Sequence, residues 1–461
     1  MDNSLVKRQG KACAVHAKLA MLAFAVAFAA LVMAFGASAQ PATAYAANLA
    51  AGGLDANGSA QVDKQSDYEY LDADEKIVVG YRTSGSASYN ASTKTITLNS
   101  LKAKTLSIRL ENQSFTLVLN GASSLTDLYS YSNVTVKGSG SLVLSDTMSV
   151  FDKNVLTMTQ GTIQGKVQAG SLVMRGGTIK GSGDSANIIA KYGLTMSGGT
   201  INLASPKYTG ISISEGNFTM TGGSLSVTNA GSSAINVSKW ASGSSGTNVS
   251  KATISGGSLT LTVANPTYSS AVSAGSMSNK LGCIKTVVGV LPCGAQFEVG
   301  GNLYEVMKST VYARLLKYNA KSKKAKIYKV TYGQHAYEVS GIGAGAFNTA
   351  AGKKVTSITI NSYLTEIGAK AFYNTKALKK LTIKYTGWMK RVTDKKYNLK
   401  KVKVAKGSSI AKKAFSKAGK KGGKGLTVKL GSMGVWSKEA GKYKKFLKSK
   451  GLSSSAKLKT W

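Results

Sequence analysis

The stretch LVMRGGTI at residues 172–179 returns as LTMSGGTI at 194–201 and as FTMTGGSL at 218–225. A later copy, ATISGGSL, occupies 252–259, and a degenerate early copy, LTMTQGTI, occupies 156–163. From the second glycine of one copy to that of the next, the steps are 16, 22, 24 and 34 residues. Repetition near this period is typical of a solenoid, in which each coil stacks on the next one.

Each copy predicts two short strands joined by a turn. Leu172 and Met174 are separated by one residue, which is the spacing of a strand with one buried face. The glycine pair permits a bend, and Ile179 starts a second strand. A weaker repeat, with isoleucine or valine residues two positions apart, lies between copies at 210–213 and 234–237. We therefore expect a mainly β protein whose coils form a right-handed parallel β-helix over 76–280.

The N-terminus carries the features of an export signal, which we place at 1–46. Basic residues precede an apolar run, Leu19 to Phe35, and small residues permit cleavage after Ala39 or after Ala46. The alternative is an uncleaved membrane anchor. Residues 47–75 predict an acidic flexible leader. Because no later apolar run is long enough to span a membrane, we expect no transmembrane span after cleavage, and a secreted protein retained at the envelope.

The β-helix region also resembles a known class of module. The stretches YNASTKTITLNS at 89–100, LVLNG at 117–121 and NVTVKGSGSLVLS at 133–145 lead into the octapeptide copies. Together they resemble the β-helical carbohydrate-binding modules in secreted proteins of gut bacteria. The resemblance implies a glycan ligand and transfers no individual site residue.

Residues 281–310 predict a capping or junction segment, since a solenoid end must be covered. Cys283 and Cys293 lie ten residues apart in this segment. An even pair of cysteines in an exported chain favours one local disulfide. The alternative is two free buried thiols.

A second repeat occupies the last predicted domain, 311–461. Apolar residues in an L-x-x-L-x-I pattern recur at 355–360, 378–383 and 399–404, in steps of 23 and 21 residues. Between them, Ile-Gly-x-x-Ala-Phe recurs, with one departure, in 342–347, 367–372 and 410–415. This signature resembles the BspA-like leucine-rich repeats of bacterial surface proteins. The resemblance implies a leucine-rich-repeat solenoid of short strands and short helices.

Most of the net positive charge of the chain lies in this last region. The chain carries a formal net charge of +40, and residues 301–461 contain 38 lysines and arginines against 5 acidic residues. Such a balance attracts polyanions. Aromatic residues are not interleaved in a nucleic-acid motif and the chain is predicted to be exported, so we expect no nucleic-acid partner. Six lysines are candidate polyanion contacts: Lys379, Lys380, Lys384, Lys400, Lys401 and Lys403. The alternative is a solvated, solubilising surface.

The sequence offers no catalytic residues, no metal site and no cofactor motif. His335 is the one histidine after the signal, and no nucleophile motif accompanies it. Glycoside cleavage requires two converging carboxylates, whereas those of the β-helix, such as Asp146, Asp152 and Asp184, are scattered singly. A polysaccharide-cleaving β-helix enzyme remains the alternative to a binding protein.

Aromatic residues between the coils are the candidate glycan platforms, because sugar rings stack on exposed aromatic faces. Tyr192 and Trp240 occupy similar repeat positions, and Tyr208 and Tyr268 lie in other inter-coil loops. The alternative is that these rings close coil ends. We expect a non-catalytic binding or adhesion protein for a glycan, a host or cell-wall surface, or anionic envelope polymers. A structural surface spacer is a further alternative.

Overall fold

The computed structural model describes residues 68–71, 76–110, 113–185, 187–239, 248–267, 269–308, 310–386, 389–393, 399–420, 425–431 and 439–460. All of them belong to one compact unit, Asp67–Trp461. The predicted signal peptide and most of the predicted leader lie outside the described residues. Within the described ranges, no helix has the length and apolar character needed to cross a membrane.

Twenty-three strands form one continuous sheet that winds as a β-solenoid. The strands are β1 (Tyr68–Tyr70), β2 (Ile77–Gly80), β3 (Ser84–Asn90), β4 (Thr95–Lys102), β5 (Thr105–Ile108), β6 (Ser114–Asn120), β7 (Ala122–Leu125), β8 (Asp127–Ser130), β9 (Asn133–Lys137), β10 (Ser141–Met158), β11 (Thr162–Met174), β12 (Thr178–Ser182), β13 (Ile188–Met196), β14 (Thr200–Ala204), β15 (Ile211–Ile213), β16 (Asn217–Met220), β17 (Ser224–Ala230), β18 (Ile235–Val237), β19 (Lys251–Ile254), β20 (Ser258–Val263), β21 (Val272–Ser273), β22 (Ser276–Asn279) and β23 (Ile284–Val288). A 3₁₀ turn covers Gly183–Ser185.

The octapeptide copies stack in register, which confirms the predicted mainly β solenoid. Met174 pairs with Met196 and Met196 pairs with Met220, and all three side chains are fully buried. We call the surface built from this half of the octapeptide the methionine face. Ile179 pairs with Ile201 on a second surface, the isoleucine face. The strands β5, β8, β15, β18 and β21 belong to a third face. Burying one column of apolar side chains per face holds the coils together.

Outward positions of the methionine face also stack in register, and most of them are threonine. The row runs, with each residue paired to the next, through Thr95, Thr116, Thr135, Thr157, Val173, Thr195, Thr219, Thr253 and Ser278. Threonine suits an outward strand position because its branched side chain packs on a pleated surface while its hydroxyl reaches water.

The two glycines of each copy serve different purposes. A Cβ on Gly198 would overlap the carbonyl oxygen of Arg175 in the preceding coil, so only glycine permits this close approach. Gly199 has a φ of 74°, in the left-handed region that side chains disfavour. The first glycine therefore sets the distance between coils and the second sets the turn between the methionine and isoleucine faces.

Residues 238–250 lie within the 34-residue step, and hydrogen bonds join the described residues at its two sides. The backbone N–H of Val249 donates to the carbonyl of Lys239 at 2.7 Å, and the Asn248 side chain donates to the carbonyl of Val237 at 3.0 Å. Residues 240–247, between these anchors, lie outside the described part of the chain. The residues that flank this part of the 34-residue step are thus hydrogen-bonded to each other.

The structure corrects the predicted disulfide, since Cys283 and Cys293 are both free thiols. The carbonyl of Cys283 accepts a hydrogen bond from Leu259 of the isoleucine face at 2.9 Å. The carbonyl of Cys293 accepts one from Met277 of the methionine face at 2.8 Å. The two cysteines therefore stack on different faces of the last coil, and the buried Cys283 side chain belongs to the apolar core.

Three smaller sheets follow the solenoid. Their strands are β24 (Gln296–Val299), β25 (Asn302–Val306), β26 (Tyr312–Lys317), β27 (Lys324–Ile327), β28 (Lys329–Tyr332), β29 (His335–Ile342), β30 (Ser357–Ile360), β31 (Glu366–Ile367), β32 (Lys380–Ile383), β33 (Met389–Thr393), β34 (Leu399–Val404), β35 (Ser409–Ile410), β36 (Thr427–Leu430) and β37 (Lys457–Thr460). A 3₁₀ turn covers Gly352–Lys354, and an α-helix, α1 (Ala440–Ser449), precedes β37.

An aromatic cluster lies where the solenoid meets the smaller sheets. The ring centroid of Phe297 is 4.7 Å from that of Tyr332 and 5.2 Å from that of Tyr337. The Tyr337 hydroxyl accepts a hydrogen bond from the backbone N–H of Leu291 at 3.0 Å, which ties a strand of the second region to the end of the solenoid. His335 packs edge-on against Tyr337 with their centroids 4.7 Å apart.

The second repeat forms two parallel ladders. The strands β27, β30, β32, β36 and β37 make a five-stranded parallel sheet. In the other ladder, Ile342 pairs with Ile367 and Ile367 with Ile410. The phenylalanines of the same motif stack in a column that starts at a tyrosine: Tyr318, Phe347, Phe372 and Phe415, with successive centroids 5.0, 5.6 and 5.3 Å apart.

One predicted repeat strand, 399–404, is present as β34 but pairs differently from the other two copies. Residues 399–404 do not extend the five-stranded sheet, because β34 pairs antiparallel with β33 in a separate hairpin and β36 lies beside β32. Val428 and Leu430 of β36 are fully buried, whereas β34 buries Leu399 and Val402 and leaves Val404 partly exposed. The hairpin is an insertion between two copies of the motif.

Candidate functional site: an exposed lysine face

The six predicted lysines are all exposed but do not form one group. Lys380 points outward from β32, and Lys379 and Lys384 lie in the segments just before and after that strand. By contrast, Lys400, Lys401 and Lys403 belong to β34 of the separate hairpin, where Lys403 lies opposite Lys390. The structure thus assigns the predicted polyanion contacts to two different sheets.

The five-stranded parallel sheet gathers six lysines, of which only Lys380 was among the predicted contacts. Its inward positions are apolar, so alternate residues point outward in two rows. The first row, which we call the alternating row, consists of Lys324, Ser357, Lys380, Thr427 and Lys457. The second, the flanking row, consists of Lys326, Thr359, Thr382, Lys429 and Lys459. Together they define the lysine face.

The lysine face carries charge of one sign. None of its five strands contains an acidic residue. The described acidic side chains of this region act elsewhere: Glu305 and Glu366 pair with Arg314 at 3.4 and 2.8 Å, Glu338 accepts from the backbone of Tyr363 at 3.4 Å, and Glu439 accepts from the backbone of Leu399 at 2.8 Å. Neighbouring strands lie about 4.8 Å apart, so the ammonium groups repel one another unless anions come between them.

Sequence reasoning missed most of these lysines for an identifiable reason. Lys429 and Lys457 become neighbours of Lys380 only through the pairing of β32 with β36 and of β36 with β37. The inserted hairpin separates these strands in sequence. The alternation of lysine with apolar residues in 324–327 and 457–460 was the available signal, since it is the pattern of a strand with one basic, solvent-facing side.

The two predicted aromatic platforms that the structure describes, Tyr192 and Tyr208, do not lie at one place. Tyr192 is half-buried in β13, where the chain passes from the third face to the methionine face. Tyr208 is 68% exposed and lies between β14 and β15, where the chain passes from the isoleucine face to the third face. The two rings therefore occupy different corners of the solenoid. Trp240 and Tyr268 lie outside the described residues.

Each of the two described rings already has a cationic neighbour. The Lys191 ammonium lies 5.1 Å from the ring centroid of Tyr192 and 3.3 Å from a carboxylate oxygen of Glu215 on the next coil. Hydrogen bonding to Tyr192 and then to Glu215 raises the pKa of Lys191. The Lys207 ammonium lies 5.6 Å from the ring centroid of Tyr208. These contacts occupy at least part of the ring surface that a sugar would need.

A second cluster, which the sequence did not reveal, lies at the start of the third face. Asp146 donates its backbone N–H to Thr126, next to Asp127 on the preceding coil. Burial, and to a lesser extent the charge of Asp146, raises the pKa of Asp127. On the same face, the ring of Phe151 stacks 6.0 Å from that of Tyr129, the residue two beyond Asp127. The acidic pair is thus Asp127 and Asp146.

No metal-binding constellation accompanies either cluster: within the described ranges, no three or more His, Cys, Asp or Glu side chains converge. His335 is half-buried, and burial lowers its pKa. What the lysine face can do chemically is to hold carboxylate, sulfate or phosphate groups through ammonium contacts.

Comparison with known proteins returned nothing, because no family model, no curated protein and no solved structure matches this chain.

Proposed function

We propose that this chain is a secreted, envelope-associated, non-catalytic binding protein that holds a linear anionic polymer on its lysine face. The polymer would be an anionic glycan or wall polymer of the bacterial or host surface. The observation that supports this most directly is the set of six lysines on one parallel sheet whose strands contain no carboxylate. An anionic polymer relieves the repulsion among these charges.

The strength of single contacts indicates a polymer rather than a small anion. An exposed ion pair contributes about 0.2–1 kcal/mol, which one anion cannot turn into stable binding. A chain that meets several lysines in succession adds such contacts without losing its translational freedom again for each one. The lysine face therefore fits a repeating ligand better than a monomeric one.

A salt series on the secreted chain tests this function. We expect retention on purified cell walls and on immobilised anionic polysaccharide to fall steeply between about 50 mM and about 500 mM salt, because salt screens exposed charges. An uncharged polysaccharide of matched length is the control, and it should retain little protein at any salt. Retention that does not change across the series would contradict the proposal. Envelope attachment without binding to any polymer would favour the spacer alternative.

The architecture we propose for these elements follows the two resemblances. The solenoid of β1–β23 is proposed to be a right-handed β-helix of the carbohydrate-binding type. Residues 311–461 are proposed to form a BspA-like leucine-rich-repeat solenoid. The in-register stacking of the second motif, Ile342 on Ile367 on Ile410, supports this assignment. A charged repeat domain of this kind would explain envelope retention by charge.

A polysaccharide-cleaving enzyme is the second candidate, and the Asp127–Asp146 cluster is the observation that favours it. A carboxyl group with a raised pKa beside a second carboxylate is the arrangement of a general acid and its partner. An activity screen against glycans, followed by Asp127→Asn and Asp146→Asn, tests this candidate. Product formation that either substitution abolishes would establish it, and no product from any glycan would remove it.

A further inference from the structure

The two rows of the lysine face differ in their spacing. In the alternating row, lysines on β27, β32 and β37 are separated by Ser357 on β30 and Thr427 on β36. The three lysines are exposed and the two hydroxyl residues are half-buried. Cationic positions thus recur on every second strand, about 9–10 Å apart, with a hydroxyl group midway.

The flanking row has no such regularity. Lys326 is followed by Thr359 and then by Thr382, which is buried, so two neighbouring strands present no cation. Lysines occupy the last two strands, as Lys429 and Lys459. Of the two rows, the alternating row is the one with a constant period.

We infer that the alternating row binds a linear polysaccharide that carries one acidic group on every second sugar and lies across the strands. This inference rests on the proposed function and specifies its ligand class. An extended disaccharide unit has nearly the length of two strand spacings, so each carboxylate or sulfate would meet a lysine. The intervening neutral sugar would lie over Ser357 or Thr427, whose hydroxyl groups can exchange hydrogen bonds with sugar hydroxyls. A polymer charged on every sugar would place half of its acidic groups over a hydroxyl residue.

An exchange that conserves charge distinguishes the effect of the alternating lysine pattern from the effect of the number of lysines. The double variant Ser357→Lys/Lys380→Ser keeps the net charge and the number of lysines on the face but destroys the alternation. Its binding is compared with that of the unaltered chain on hyaluronan, acidic on every second sugar, and on polygalacturonate of similar length, acidic on every sugar. Lys137→Gln, at an exposed position of the solenoid, is the control for loss of one charge.

We expect the exchange to weaken hyaluronan binding about fivefold and polygalacturonate binding less than about twofold, as the loss of one aligned ion pair would. Lys137→Gln should change both by less than about twofold. A melting temperature and circular dichroism spectrum like those of the unaltered chain establish that the exchange variant is folded. If it is not folded, Lys380→Gln provides a second measurement, and we expect it to weaken hyaluronan binding about fivefold. Equal effects of the exchange on both polymers would overturn the inference but leave the proposed function intact. Failure of the unaltered chain to bind either polymer at low salt would overturn both.

Discussion

The solenoid of β1–β23 and the five-stranded sheet at the C-terminal end both stack parallel strands in register, yet their outward rows differ. On the methionine face the outward row is mostly threonine, from Thr95 to Ser278. On the lysine face, three of the five residues in each row are lysine. The charge follows the same division: residues 47–300 contain 18 basic and 14 acidic residues, whereas 301–461 contain 38 and 5.

This difference in the outward rows shows that the residues that hold the strands together are not the residues that distinguish the two regions. In both regions the most regular positions of the repeat point inward. These are the methionine column in the solenoid and the phenylalanine column in the C-terminal region. The outward-facing residues can vary without disturbing the core, because successive residues of a strand point to opposite sides of the sheet. Binding properties are therefore expected in the outward rows, and stability in the inward columns.

The largest effect is expected from breaking the inward columns. Phe372→Ala removes the middle ring of the phenylalanine column and should lower the free energy of unfolding by about 3–5 kcal/mol. Met196→Ala, in the methionine column, should cost about 2–4 kcal/mol. Denaturant titration measures both, with Tyr363→Ala at an exposed position as the control. A cost below about 1 kcal/mol in either column would mean that this column does not stabilise its stack of strands as the other column does.

The next largest effect concerns the outward rows. Replacing Lys324, Lys380 and Lys457 together by glutamine should weaken binding of an anionic polysaccharide at low salt about a hundredfold, since each exposed ion pair contributes up to about 1 kcal/mol. The matched control removes three exposed lysines of the solenoid, Lys137, Lys153 and Lys180.

The control variant carries the same net charge as the test variant, so a titration at constant salt compares the two directly. We expect it to bind within about threefold of the unaltered chain. Equal losses in the two variants would show that net charge, and not the lysine face, determines binding.

The inward columns could be predicted from the sequence and the lysine face could not. Met174 and Met196 occupy the same position of an octapeptide, so their stacking follows from the repeat alone. The neighbour of Lys380 depends instead on whether 399–404 or 427–430 pairs with β32. Both segments combine buried apolar residues with lysine, so the sequence pattern does not decide which of them pairs with β32. The acidic pair of Asp127 and Asp146 was missed because the early coils lack a clear repeat.

A smaller effect on the free energy of unfolding is expected when a glycine is replaced by alanine, and its sign differs between the two regions. Gly198→Ala should lower the free energy of unfolding by about 1–3 kcal/mol, because its Cβ would overlap the backbone of the preceding coil. Gly441→Ala, in helix α1, meets nothing within 4 Å and should raise stability by about 0.5–1 kcal/mol. Thermal melting of the two variants checks both signs. A stabilising Gly198→Ala would show that the coils do not need their close approach.

The smallest effect concerns the junction between the two regions, where His335 packs against Tyr337. Burial lowers the pKa of His335 below its ordinary value of 6.5. Below pH 6.5 the unfolded chain therefore binds a proton more readily than the folded chain, so stability contributed by this site falls as the pH decreases. His335→Gln should reduce the difference in melting temperature between about pH 8 and about pH 5, while Gln334→Ala at the neighbouring exposed position should leave it unchanged. If His335→Gln left that difference as large as in the unaltered chain, the acid sensitivity would arise from carboxylates and not from the junction.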